Sequence, residues 1–398
     1  MDTKQFIEEH LNDDVHELAL KHSNAKVDMA LALRQIEARQ LLRKKVPSWA
    51  DNPKLLFPAK LSLEQCSSEA TALYKASLMH GRTFADLTGG LGVDCYFISQ
   101  NFEHSDYVEV NEELCDLARH NFGILSVSEQ NTPAPGALER RNHINVAQCG
   151  AEEYLSHCKP LDCLFIDPAR RDNYGRKVVS VADCTPNVVE FQDLMLDKAQ
   201  RVMVKLSPML DISMALKELR HVKVVHVVAV SNECKELLFI MEHGYVGDPV
   251  FTCVNLQSNQ PPVAFTQEEE KAAGLRLAKE VGRYLYEPNA AVMKGGCYRL
   301  LTERYGVEKL HRNSHLYTSG QLVPDFPGRV FEVEDWEVFG KKAQRILEGV
   351  EKASIAVRNF PMSVADLRKR LKIQDGDQEY LFATTLTDER KILILTHK

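Results

Sequence analysis

No C-x-x-C pair occurs among the ten cysteines, which stand at 66, 95, 115, 149, 158, 163, 184, 234, 253 and 297. Structural zinc and disulfide frameworks need paired, closely spaced thiols, so this pattern supports neither. Long apolar runs are missing too. Stretches such as Val222–Val230 and Leu161–Ile166 fall far short of the roughly 18–20 residues that a membrane helix needs. There is no internal repeat and no low-complexity tract. The stretch from Met1 to Gln5 mixes acid and base before any apolar run, so no secretory signal is readable and a cytoplasmic protein is expected. An excess of positive charge is also lacking. With 49 Lys+Arg against 56 Asp+Glu the net charge is −7, which excludes a protein that coats nucleic acid by bulk electrostatics.

What is present is a multidomain globular composition. The 398 residues, 44% hydrophobic and 26% charged, exceed one small core and have too much apolar content for disorder. Ile7, Leu11, Val15 and Leu18 recur at helical spacing, and Arg34–Lys44 continues the pattern. Pro47, Pro53 and Pro58 then predict a connecting loop over 45–60, followed by a helix over Leu63–His80. From there apolar runs alternate with helical patterns: Thr83–Leu87, Tyr107–Val110, Ile144–Gln148, Leu161–Ile166, Arg201–Leu206 and Val222–Val230. That rhythm predicts a parallel sheet with crossover helices. Only Ser231–Lys235 separates Val222–Val230 from Glu236–Met241, too few residues for a crossover, so the last two strands should form an antiparallel hairpin. Asn255–Thr266, with Pro261 and Pro262, reads as a linker, and Glu268–Tyr286 as a helix. The C-terminal stretch mixes short strands with helices near Lys342–Lys352 and Val364–Leu371, an α+β pattern.

Chemistry-bearing residues stand at the ends of the predicted strands. Asp86 closes the first and leads into Leu87-Thr88-Gly89-Gly90-Leu91-Gly92, a loop whose glycines permit a tight turn and close approach of a ligand to the backbone. As a dinucleotide fingerprint it fails, because Cys95 stands where a third small residue is needed. It matches D-x-x-x-G-x-G, a loop for the methionine part of S-adenosylmethionine. Glu109, with Val110 after it, ends the second strand and is positioned to accept hydrogen bonds from ribose hydroxyls. The third strand ends in Gly150-Ala151-Glu152, without the Asp that often meets an adenine amino group. Backbone near Ala151, or Glu152, is left for that contact. The fourth, Leu164-Phe165-Ile166, ends abruptly in Asp167-Pro168-Ala169-Arg170-Arg171. A carboxylate and a rigid proline turn are thereby placed where open α/β sheets bind ligands.

In this order Asp86/Gly90/Gly92, Glu109 and Asp167-Pro168 resemble the class I S-adenosylmethionine-dependent methyltransferases over about residues 80–245. The resemblance implies a Rossmann-like, seven-stranded α/β sheet. It also implies S-adenosylmethionine as cofactor, held by Asp86, Thr88, Gly89, Gly90, Gly92, Glu109, Val110, Ala151, Glu152 and Asp167. Asp167, Pro168 and Arg170 are the expected acceptor-side catalytic residues, with Asp167 accepting from a target N–H or helping to deprotonate it and Arg170 or Arg171 binding an anionic part of the substrate. In that superfamily Asp-Pro-Pro followed by an aromatic residue marks amino-nitrogen methylation, whereas Ala169 and Arg170 follow here. RNA uracil-5 methyltransferases carry Asp-Pro-Pro-Arg and a nucleophilic Cys after the fifth strand, where this chain has Lys205-Leu206-Ser207-Pro208.

The whole chain is similar to a bacterial group of such proteins with a C-terminal THUMP-like domain. Leu63–Glu69, Glu233–Leu237, Glu287-Pro288-Asn289, Asn359-Phe360-Pro361 and Leu381–Thr385 carry that likeness. It implies four parts: an N-terminal helical segment (1–75), the methyltransferase domain (76–255), a small ferredoxin-like α+β module (256–320) and a THUMP-like domain (321–398). THUMP domains bind structured RNA, so a tRNA or rRNA partner is implied, with no metal and no membrane. Residues 341–398 hold 12 Lys+Arg against 8 Asp+Glu, and Arg368, Lys369 and Arg370, with Arg358 nearby, offer a phosphate-facing cluster. Ser67, Ser68 and Glu69 are expected to close over the methionine moiety. Two other readings stand beside the RNA one: methylation of a small molecule or protein, and a non-catalytic binding module.

Overall fold

The computed structural model describes residues 2–21, 26–129, 143–170 and 180–397. It divides into two compact units, 1–223 with 238–247, and 224–237 with 248–398.

The first unit opens with helices α1 (Thr3–Glu9), α2 (Val15–Lys21) and α3 (Met29–Lys45). Asp2 and Asp28 cap α1 and α3 by accepting from Gln5 N and Leu31 N, and Phe6, Leu18, Val27, Ala32 and Ile36 form their shared core. Short helices α4 (Pro47–Ala50) and α5 (Lys60–Gln65) lead to α6 (Glu69–Leu78). The single helix expected over Leu63–His80 is thus broken. Ser68 leaves the helical path so that its hydroxyl can accept from Thr71 N, at 3.3 Å, as the cap of α6.

Strands β1 (Thr83–Asp86), β2 (His104–Glu109), β3 (His143–Gln148), β4 (Leu161–Ile166) and β5 (Ala199–Leu206) follow, linked through helices α7 (Val93–Ser99), α8 (Glu112–Glu129), α9 (Ala151–His157) and α10 (Val188–Lys198). They pair in parallel, β3 on β2, β2 on β1, β1 on β4 and β4 on β5. After α11 (Ile212–Glu218) come β6 (Val222–Val230) and β7 (Glu233–Glu242). Ser231 and Asn232 alone join them, at φ 49° and 67°, as a tight hairpin requires, so β7 runs antiparallel to β6. The strand order is β3-β2-β1-β4-β5-β7-β6, the Rossmann-like order expected from the sequence, here forming seven strands of a sheet that continues to nine. Phe165 and Ile166 of β4 and Val202–Val204 of β5 are fully buried, the two-sided burial that makes central parallel strands read as unbroken apolar runs.

In the second unit β8 (Val250–Leu256) pairs in parallel with β6, and β9 (Val263–Thr266) pairs antiparallel with β8. The stretch expected to be a linker therefore contributes two strands, with Pro261 and Pro262 confined to their connection. Helix α12 (Gln267–Ala272) is all that forms of the predicted Glu268–Tyr286 helix. Gly282 shows why: a Cβ there would lie 2.6 Å from the Ser319 carbonyl oxygen, a backbone approach that a helix surface does not permit. The chain instead enters β10 (Tyr284–Pro288), then α13 (Ala290–Gly295), α14 (Leu300–Arg304), β11 (Glu308–His311), β12 (Ser314–Ser319), β13 (Gly328–Val338), β14 (Ser354–Val357), α15 (Val364–Leu371), β15 (Glu379–Thr385) and β16 (Lys391–His397). These strands form one sheet in the order β11-β12-β10-β13-β16-β15-β14. Among the described residues no helix is long and apolar enough to cross a membrane.

Candidate functional site

Parallel pairing brings the carboxyl ends of β1, β2, β3 and β4 to one edge: Asp86 is the partner of Tyr107 and of Phe165, and Glu109 that of Gln148. At such an edge open α/β sheets place ligands. Past Asp86 the chain turns tightly, with Leu87 N donating to the Phe165 carbonyl and Gly89 N to the Val108 carbonyl, both at 2.9 Å. The three glycines do different work. A Cβ at Gly89 would strike the Tyr107 ring at 2.2 Å, and one at Gly92, already at φ +87°, would meet Phe122 at 2.8 Å. At Gly90, φ +54°, a Cβ would have only the Thr88 carbonyl oxygen within 4 Å, so it would project into open space over the loop. Gly89 and Gly92 therefore serve packing, and Gly90 faces a cradle that a side chain would fill.

Glu109 sits beside this cradle, part-exposed. One carboxylate oxygen accepts from Gly90 N at 3.0 Å; the other accepts from Val110 N and Asn111 N, both at 2.9 Å. The carboxylate is held by three backbone donors, with lone pairs left for further donors. The Val110 side chain is 70% exposed next to it. At the end of β3, Gly150 precedes α9, Ala151 is buried in its first turn and Glu152 is exposed. Nothing lies within 4 Å of where a Gly150 Cβ would be.

Thr88 ties the loop to the end of β4. Its N–H donates to Asp86 Oδ1 at 3.0 Å, and its hydroxyl accepts from Asp167 N at 2.7 Å. Asp86 is 1% exposed, and burial pushes its carboxyl up to about 8 against the pull of Thr88 N, with Asp94, Asp167 and Glu109 adding to the rise. It stands protonated near neutral pH. Asp167 is part-exposed and Pro168 buried; Ala169 and Arg170 pair as a two-residue strand with Thr185 and Cys184. The side chain of Arg170 and all of Arg171 lie outside the described residues.

Three residues that matter here were not picked from the sequence as site residues. Lys205, near the end of β5, pairs with Asp167 through Nζ and Oδ2, and its Nζ is 3.9 Å from Asp94. Asp94, in the first turn of α7, is also 3.1 Å from Nζ of the fully buried Lys75. Ser67 donates to Asp94 at 2.6 Å and accepts from Lys75 at 3.2 Å; Ser48 engages Glu69. Ser67, Ser68 and Glu69 are thus engaged in fixing the start of α6. One signal was available for Lys205, a lone cation interrupting Val202-Met203-Val204 and Leu206.

The cluster of tail cations is also redistributed. Arg368 pairs with Asp375 at 2.7 Å, Arg358 with the buried Glu287 at 2.6 Å, and Arg370 lies over the Phe339 ring at 4.6 Å. Consecutive helical residues point about 100° apart, so Arg368, Lys369 and Arg370 do not share one face.

A ferredoxin-like domain family matches residues 284–327, and a THUMP domain-like family matches 328–398. A crystal structure assigned to a methyltransferase of Porphyromonas gingivalis is 34% identical, with a TM-score of 0.87, over 100% of this chain and 97% of that one. Two curated proteins from two strains of Mycobacterium tuberculosis, named as uncharacterized S-adenosylmethionine-dependent methyltransferases, are each 22% identical over 317 residues, 79% of this chain and 80% of theirs.

Proposed function

Because this chain belongs to the S-adenosylmethionine-dependent methyltransferases, we propose that it methylates RNA, a tRNA or an rRNA, with the THUMP-like domain holding the RNA. The single observation behind the RNA reading is the THUMP domain-like match over 328–398, joined to a methyltransferase sheet.

The residues suit the cofactor. The open side of Gly90 leaves room against the loop, and Glu109 keeps acceptor capacity for ribose hydroxyls. Asp86, Thr88, Gly89 and Gly92 shape the turn, Val110 offers an apolar surface, and backbone at Ala151 or Glu152 lines the far end. When bound, S-adenosylmethionine supplies a methyl group already activated on a sulfonium. The chain's own task is then to orient and to exclude water, from which much of the acceleration comes. Asp167 and the Pro168 turn orient the acceptor atom, Asp167 by accepting a hydrogen bond from its N–H, while Arg170 or Arg171 binds an anionic part of the substrate.

The test is transfer of labelled methyl from the cofactor to total RNA from a strain lacking the gene, with the Asp167→Asn protein as control. Label in RNA with wild type and its loss with Asp167→Asn is the expected outcome. Label in protein or small metabolites but not in RNA would overturn the RNA reading. That second reading draws on one observation: Arg358 and Arg368 are engaged by Glu287 and Asp375.

A further inference from the structure

Beneath the cradle lies a line of alternating charge. Lys75 on α6 is fully buried and reaches Asp94 on α7 at 3.1 Å; Lys205 on β5 lies 3.9 Å from the same carboxylate and contacts Asp167 past the end of β4. Exposure of the side chains rises along the line, from 0% at Lys75 through 10% at Asp94 and 12% at Lys205 to 35% at Asp167. Such burial is costly for isolated charges and tolerable when each is compensated, as here by two lysines against two aspartates.

We propose that Lys205 is a positioning residue for methyl transfer: anchored through Asp94, it holds Asp167 as an ionised acceptor aimed at the N–H of the target. This role rests on the methyltransferase reading above and goes beyond it, because it selects acceptor atoms that carry a hydrogen. An Asp167 paired in this way orients the N–H of a target nitrogen that attacks while still bearing its proton: the nitrogen lone pair would form the N–C bond as the methyl–sulfur bond breaks, the cofactor would leave as its neutral thioether, and the proton would then pass from the methylated nitrogen to solvent.

The electrostatics around the pair run in the direction this requires. Asp94 from α7, Glu109 from β2 and Asp167 itself all add to the rise at the buried, protonated Asp86, so negative charge gathers at this edge. Burial alone would raise Asp94, but Lys75 and Lys205 hold it below its ordinary value. Cys66, just before α6, feels Lys45 of α3 together with Asp94 and Lys205; burial keeps it a thiol. Among the described residues Lys205 is thus a cation in direct contact with Asp167 amid several acids, and removing it leaves the Asp167 carboxylate without that partner.

Two measurements decide this. Carbon-13 spectra of labelled aspartate at one neutral pH, with the Asp167 carboxyl signal assigned by its loss in Asp167→Asn, should show that signal displaced in Lys205→Met and near its wild-type position in Lys205→Arg. An Asp167 signal at the same position in wild type and Lys205→Met would overturn the proposal. In labelled-methyl transfer to total RNA, Lys205→Met should lower kcat about a hundredfold, as misplacement of an orienting group does. KM for the cofactor should stay within about threefold, and Lys205→Arg should recover most of kcat. In an Asp167→Asn background, Lys205→Met should cost little more. An undiminished loss in that background would show that Lys205 does not act through Asp167. A wild-type protein that labels no RNA overturns the RNA reading, and the position of the Asp167 carboxyl signal then decides the role of Lys205 by itself.

Discussion

Replacing Asp86 by Asn should abolish a pH dependence that wild-type folding carries at one buried carboxyl. The folded protein keeps a proton on Asp86 up to about pH 8, because burial disfavours its charge. The unfolded chain releases that proton near the ordinary Asp value of about 3.9. Since the folded-state value is the raised one, the contribution to stability is fully present below about pH 4 and is lost as pH climbs toward 8. At about 1.4 kcal/mol per pH unit, Asp86 should remove about 2–3 kcal/mol of stability between pH 5 and 7, and about 1 kcal/mol more by pH 9. Asn at this position retains the oxygen that accepts from Thr88 N at 3.0 Å and does not titrate. The difference between wild type and Asp86→Asn therefore isolates the group. The two tryptophans make the measurement practical, because Trp49 lies in the first unit and Trp336 in the second. In a Trp336→Phe background, urea unfolding followed by fluorescence reports the unit that contains Asp86. A wild-type-minus-variant difference that stays within about 0.5 kcal/mol from pH 5 to 9 would mean that Asp86 is ionised in the fold, and the reasoning would fail.

Other perturbations test the packing around the site. Gly89→Ala forces a Cβ to within 2.2 Å of the Tyr107 ring, whose hydroxyl holds the Gly90 carbonyl; it should destabilise by about 1–3 kcal/mol and weaken cofactor binding in the same protein, read by urea unfolding and calorimetry. Ser68→Ala removes the cap of α6 and should cost about 1 kcal/mol in the Trp49 transition. In the second unit, Glu287 accepts from both Arg329 and Arg358, so Glu287→Gln should lower the Trp336 transition by about 1–3 kcal/mol without changing cofactor affinity.

The residues legible in the sequence are those whose type is dictated locally. β4 and β6 were legible because strands largely buried in a sheet are mostly apolar, and Asp86, Glu109 and Asp167 because each stands at the end of a strand the pattern predicts. The Ser231-Asn232 hairpin was legible from connection length alone. Lys205, Asp94 and Lys75 were not, since a single charge on a strand or helix reads the same whether it faces water or three other charges; only the pairing of β4 with β5 and the placement of α6 and α7 bring them together. β8 and β9 were hidden by the polar, proline-bearing connection between them. Residues 268–286 have helix-forming composition, but the approach of the Ser319 backbone at Gly282 overrides it. The tail cations looked like one cluster because sequence proximity conceals that Asp375 and Glu287 reach two of them.

The central claim is that the loop from Asp86 to Gly92 and the end of β2 at Glu109 form the cofactor cradle. Calorimetry with S-adenosylmethionine tests it most directly, using wild type, Glu109→Ala and Gly90→Val. Wild type should bind one equivalent. Glu109→Ala should bind at least about tenfold more weakly for want of a charged acceptor, about 1.4 kcal/mol or more, and Gly90→Val should show no binding while its Trp49 transition shows the first unit still folded. Wild-type affinity in both variants would contradict the account.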